Sequence, residues 1–278
     1  RKVIPSFLER VDRADRGGVW SEYLATSRED TSELVQAIFP EGTVADPAPL
    51  VRLVDFDPDA EVKMIASMMY PYTHLPEEQI ERRVAAMSTD DRIAVARAYA
   101  GDRLNRRHKP GRALERPFYR FDVIVDYGAF RDLQRHRMMT IDWQQLSPYH
   151  GYTRPELIDA AGMTERFDEA MQRWADLHDA VMEDFPDQAS YAVGLAYKIR
   201  FSMNLNAREA MHLIELRTTP AGHPSYRKVG QEMHRLIAEE AGHTAIAEMM
   251  NFVDHSPETD LERLQSERRS EERRQQLS

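Results

Sequence analysis

The chain has 278 residues, 42% hydrophobic and 30% charged, enough to bury a core in one globular domain or two small ones. It contains no cysteine, which excludes disulfides, thiolate metal sites and a cysteine nucleophile, and points to a reducing, cytoplasmic setting. A net charge of -10 repels nucleic acid in bulk, and no apolar run reaches the ~18 residues of a membrane span, so neither is an expected partner.

In chain order, residues 1–49 read as a poorly patterned N-terminal extension, broken at Gly17-Gly18, Pro40 and Pro47-Ala48-Pro49. No signal-peptide pattern opens the chain, and its first residue is Arg1, so one half of a longer, duplicated polypeptide is an expectation. Alternation over 51–56 predicts a short strand, and Asp57-Pro58-Asp59 predicts the cap of a helix through about Met69. Pro76 opens a second helix; Ser88 caps a third that runs into Asn105-Arg106-Arg107. The best strand covers 118–125, rich in aromatic and β-branched residues, and 129–136 reads as a helix ending on basic residues.

Further on, 164–185 is a long amphipathic helix and 188–199 reads as another, followed by an extended stretch at 200–205. Asn206 stands where a helix N-cap belongs, with 207–216 behind it, and helices at 226–241 and 244–253 complete the carboxyl half. Residues 256–278 alternate acid and base with almost no apolar positions, the pattern of a solvated helix or frayed tail. The pattern predicts a helix-rich α+β domain over 50–255, between that extension and this tail.

Two polar sets stand out. Arg135-His136-Arg137 is a dense cationic spot in an acidic chain, suited to phosphate or to the electron-rich edge of a heteroaromatic ring, or simply to a helix C-terminus. Asn206, Arg208 and Arg217 frame a helix whose first turn offers N–H groups to an anion, and Glu209, His212 and Glu215 fall three apart on one stripe. Read alone, this second set equally suits a surface salt-bridge pattern.

Together, in this order, the two sets resemble the flavin-dependent thymidylate synthases. That family carries Arg-His-Arg, then Asn-Ala-Arg leading through an aliphatic helix to Leu-Arg; here these are Arg135-His136-Arg137, Asn206-Ala207-Arg208 and Leu216-Arg217. The resemblance covers roughly 50–253 and implies a fold with a small, mostly antiparallel sheet. It implies FAD held by Arg135, His136, Arg137, Met138, Asn206, Arg208 and His212. Arg135, Gln145 and Arg217 are implied at the substrate, with Arg217 as the catalytic group that polarises the pyrimidine of dUMP. NADPH and methylenetetrahydrofolate are the implied co-reactants, and a homo-oligomer, a tetramer or a tandem pseudo-tetramer, is the implied assembly. The flavin does the chemistry, so a chain without cysteine is compatible.

The match departs on the nucleotide side. Gln145 replaces the signature's closing serine, Asp142-Trp143 replaces Asn-Glu, Ser147-Pro148 replaces Arg-Tyr, and Asp132 stands where glutamine is usual. The flavin segment before the best strand is a loose match, His108 to Glu115-Arg116. The resemblance therefore supports a flavoprotein scaffold more strongly than dUMP methylation, and a non-catalytic flavin-binding or assembly homologue is the alternative. A third reading, di-iron carboxylate chemistry, rests on the Glu-x-x-His pairs Glu209/His212 and Glu240/His243, with Glu169 or Glu183 as further ligands. The family explanation of His212 argues against it, and no metal is expected.

Overall fold

A computed structural model describes residues 2–39, 43–257 and 262–276. Arg1, Pro40 and the tail positions 258–261 and 277–278, all touched by the sequence reading, lie outside them. The chain divides into two units, Arg1–Pro47 and Ala48–Ser278. The first contains α1 (Pro5–Asp12) and α2 (Gly18–Ile38), so the expectation of a poorly patterned lead-in is corrected. The glycines at 17 and 18 sit at the start of α2 rather than inside it, where they mark a boundary instead of breaking a helix.

The second unit is built on one sheet of β1 (Val51–Phe56), β2 (Phe118–Asp126), β3 (Met139–Trp143) and β4 (Lys198–Asn206), ordered β1-β2-β4-β3. Every pairing is antiparallel. Tyr119, Phe121, Val123 and Val125 of β2 and Ile199, Phe201, Met203 and Leu205 of β4 all turn to one buried face. Apart from the buried Asp126 at the end of β2, the alternate residues stay half-buried or exposed, and Arg200 of β4 bridges Asp122 of β2 across that open face at 2.9 Å. Period-2 alternation thus gives a one-sided sheet.

The unit's helices are α3 (Ala60–Met69), α4 (Glu77–Ala85), α5 (Thr89–Ala100), α6 (Tyr127–Leu133), α7 (Glu156–Ala160), α8 (Thr164–Asp184), α9 (Ala207–Arg217), α10 (Pro224–Arg235), α11 (Thr244–Glu248) and α12 (Glu262–Gln276), of which α6, α9 and α10 lie against the strands. The helix-rich α+β expectation holds.

Several boundaries differ from the sequence reading for local reasons. The third helix stops at Ala100 because Gly101 takes φ 63°, a left-handed exit open to glycine. The segment read as a helix over 188–199 is instead a 3-10 turn, Pro186–Ala192, leading into β4. The helix expected through 241 widens into a π turn at Leu236–Glu240. Strand β3 was not foreseen: it is an edge strand with three of five residues exposed, so it carries almost no burial signal.

Candidate functional site

Strand β4 passes directly into α9, and the junction sets the site. Asn206 caps the helix, its Oδ1 accepting from the Glu209 backbone N–H at 2.9 Å, while the Ala207 N–H donates to the Pro117 carbonyl at 2.9 Å. The first turn is therefore pinned to the strand beside it. Helix α6 ends at Leu133, so Arg135-His136-Arg137 lies beyond the helix rather than decorating its C-terminus. That short bend carries His136 inward, where it is buried, and leaves Arg135, Arg137 and Met138 exposed.

The two sets meet at His136. Its Nδ1 lies 2.9 Å from Glu209 Oε1, and Arg217 donates from Nε to its Nε2 at 3.2 Å. A ring nitrogen that accepts from a guanidinium carries its lone pair there. His136 is accordingly neutral with its proton on Nδ1, donated to the Glu209 carboxylate. Residues 73 and 81 positions apart in sequence thus form one hydrogen-bonded chain. The surface salt-bridge reading of the helix stripe is corrected, since Glu209 and Glu215 are both buried.

Arg217, the last residue of α9, is held on further sides. Its Nη2 donates to the Asp132 carbonyl, Nη1 lies 3.4 Å from Asp132 Oδ1, and the guanidinium sits 5.2 Å from the centre of the Tyr226 ring. The same Asp132 oxygen is 3.4 Å from Arg135.

On the outer side, His212 stacks obliquely against His136, ring centres 5.3 Å apart. Burial lowers its pKa, and the positive charges of Lys109 and Arg106 lower it further, against an opposing pull from Glu209. Arg208 reaches the other way, to the Pro110 carbonyl at 3.3 Å and Glu115 at 3.4 Å, tying α9 to the 108–116 segment. In a chain of net charge -10, this corner gathers Arg106, Lys109, Arg135 and Arg137, with Met138 presented outward at 73% exposure. Cationic donors around an exposed thioether fit a ligand that joins a diphosphate to a flat ring system, as FAD does. Asn206 spends its side-chain oxygen on the cap, which leaves its amide for a ligand.

Gln145 stands apart. It lies exposed on the extended stretch after β3, and among the described residues no hydrogen bond joins it to the cluster. Glu209 and Asp132 are central to the geometry and were not among the expected binding residues. Glu209 had one usable signal, an acid three positions after an N-cap asparagine; the contacts of Asp132 are not readable from spacing.

Ligand-type atoms of His136, Glu209 and His212 lie within 4.8 Å of one another, the one such group among the described residues. Arg217 on His136 and the cations around His212 oppose a metal ion there. The second Glu-x-x-His pair of the di-iron reading does not join it: the π turn leaves Glu240 exposed, while His243 is buried, its Nδ1 2.8 Å from the Tyr119 hydroxyl.

The family model for the thymidylate synthase complementing protein matches residues 52–252, which spans the sheet, both motif segments and α9 to α11. The chain belongs to that family. Relatives of the chain include a UPF0159 protein of Chlamydia pneumoniae, 36% identical over 97% of this chain and 50% of that protein. A UPF0159 protein of Thermoplasma acidophilum is 34% identical over 73% of this chain and 41% of that one. The chain therefore spans about half the length, or less, of the curated relatives it matches. Among solved structures, flavin-dependent thymidylate synthase ThyX from Helicobacter pylori, complexed with FAD and dUMP, aligns with TM-score 0.52 at 15% identity, over 74% of this chain and 100% of that one. The UMP/dUMP methylase PolB from Streptomyces cacaoi, bound with 5-Br dUMP, aligns with TM-score 0.53 at 16% identity, over 71% and 94%. At such identities these two establish the shared fold.

Proposed function

We propose that the chain is a flavin-dependent thymidylate synthase-like protein that binds FAD and carries out one-carbon transfer and reduction on a uracil nucleotide or a related planar substrate. The observation that carries this reading is the union of Arg135-His136-Arg137 with the Asn206–Arg217 helix through His136, Glu209 and Arg217. In this reading Arg135, Arg137, Met138, Asn206, Arg208 and His212 hold the flavin, and His136 anchors their loop from within. FAD, when bound, supplies the redox and carbon-carrier chemistry. The protein's part is positional and electrostatic. Arg217, fixed by His136 and Asp132, presents its remaining N–H groups toward a ring carbonyl and stabilises negative charge that develops on it.

NADPH and methylenetetrahydrofolate are the proposed co-reactants, and the ring would be shared between subunits of an oligomer or between halves of a tandem chain. The proposed units of function are the residues 50–255 as the flavin domain, with the N-terminal extension and charged tail outside it. The test is the visible spectrum of the purified protein and identification of the released cofactor, followed by tritium release from labelled dUMP with folate and NADPH. Flavin peaks and released FAD are expected; a colourless protein that gives no heat when titrated with FAD overturns the reading. Flavin without tritium release under any folate and nucleotide concentration would favour a non-catalytic homologue.

A further inference from the structure

Asp132 occupies an unusual position for a carboxylate. It stands between two guanidiniums, its Oδ1 3.4 Å from a nitrogen of Arg217 and 3.4 Å from a nitrogen of Arg135, while its own backbone carbonyl accepts from Arg217 as well. It is half-buried, and Arg217 is almost covered, with 12% of its side chain exposed, so solvent screens this contact only partly. Of the five N–H donors that a guanidinium owns, Arg217 gives three to the protein: one to His136 and two to Asp132. Its charge and that of Arg135 share one fixed counter-ion.

From this we infer that Asp132 is a specificity-determining residue, an internal anion that sets which ligand charge the Arg135/Arg217 pocket accepts. The inference rests on the proposed nucleotide role of these two arginines. A phosphorylated ligand meets a pair of guanidiniums whose combined charge Asp132 has already halved, and is repelled by the Asp132 carboxylate itself. A planar, uncharged oxo-heterocycle has neither problem, because it needs only the N–H groups that remain on Arg217. The ligand class favoured by the geometry is therefore a neutral pyrimidine-type ring, with the anionic mononucleotide disfavoured. Tyr226, 5.2 Å from the Arg217 carbon, keeps the guanidinium plane fixed without adding charge.

The test uses Asp132→Asn in the full chain. The amide keeps an oxygen for Arg217 and leaves the backbone carbonyl untouched, so it removes charge with little change of shape. Affinities for dUMP and for uncharged deoxyuridine are measured by calorimetry on wild type and variant, each also scored for flavin content and melting temperature. Removing the negative charge that faces the two guanidiniums is expected to raise dUMP affinity about ten- to hundredfold. Deoxyuridine affinity should move by less than about twofold, so the ratio of the two shifts by at least roughly fivefold. Asp132→Gln serves if the asparagine variant melts early. An unchanged ratio, a fall in dUMP affinity, or no binding of either compound to the folded variants overturns the inference. Flavin content reports separately on the proposed function: a shifted ratio in a flavin-free protein would keep the role of Asp132 and discard the cofactor.

Discussion

The buried pair Arg103–Glu215 connects the stability of the second unit to its site. Both side chains are almost inaccessible, at 2% and 1% exposure, and both Arg103 Nη atoms lie 2.6 Å from a Glu215 oxygen. Arg103 also donates to the carbonyls of His108 and Met249 and lies against the Phe252 ring, while Glu215 accepts from the Phe252 N–H. This pair therefore fastens the segment that bears Arg106, Lys109 and Pro110 to the last turn of α9. Glu215→Gln keeps the shape but leaves the Arg103 charge buried with carbonyls alone, which costs about 3–5 kcal/mol. For a unit of this size each kcal/mol moves the melting temperature by about 2–4 °C, so the loss should be roughly 6–20 °C. Urea and thermal unfolding of Arg103→Met, Glu215→Gln and Arg103→Met/Glu215→Leu should show the double variant less damaged than the sum of the singles, by about 2 kcal/mol or more. A Glu215→Gln protein within about 1 kcal/mol of wild type would refute the argument.

Other outcomes follow from the same contacts. Arg137→Ala removes an exposed cation and should lower flavin content severalfold while the melting temperature moves by no more than about 2 °C; a normal flavin load would remove Arg137 from the site. Glu209→Gln replaces the charged acceptor of the His136 Nδ1–H by an amide oxygen, so flavin retention should fall and the Nδ1–H signal, followed by nitrogen NMR, should shift without a change of tautomer; an unaltered Nδ1–H signal would contradict the hydrogen-bonded chain. Burial is the first cause that lowers the pKa of His212, His234 and His243. A histidine held below its unfolded value of about 6.5 favours the folded state fully above that pH, because the unfolded chain takes up protons first as pH falls. Melting temperature should accordingly hold steady from pH 8 to 7 and drop from about 6.5 downward, and a flat profile between pH 6.5 and 5 would refute this.

The elements most legible in the sequence were those whose pattern coincides with burial. Alternation in β2 and β4 predicts one buried face because tertiary packing covers one side of the sheet only. Asn206 was readable as a cap because its side chain and the Glu209 N–H are local partners. Edge strand β3 was not, since a strand with exposed side chains on both faces borrows its order from the β4 ladder, with Met139 opposite Leu205 and Trp143 opposite Phe201. The π turn at 236–240 was equally hidden, and it is what separates Glu240 from His243 despite helix-like spacing. At the site, the residue types of the two motifs were visible, but their junction was not. His136 and Glu209 are joined by the order of the strands, β2 and β4 being neighbours with β3 outside them, and no periodicity within either segment encodes that.

Three of the departures from the family pattern, Asp132, Trp143 and Ser147, have a partner within the protein, while Asp142 and Gln145 stay exposed. Asp132 binds Arg217 and Arg135. Trp143 packs its ring 5.7 Å from Phe130 beneath the sheet edge. Ser147, where an arginine is usual, is buried and accepts from the Tyr149 N–H at 3.5 Å, closing the turn at Pro148–His150. A side chain committed to a cap or a ring contact is not available to a phosphate, and a buried serine hydroxyl cannot replace a guanidinium's charge. The outward residues Arg137 and Met138, by contrast, have given nothing up to the fold. Asp132 and Ser147, on the side proposed for the nucleotide, are thus committed to contacts within the protein, whereas Arg137 and Met138, on the side proposed for the flavin, face outward.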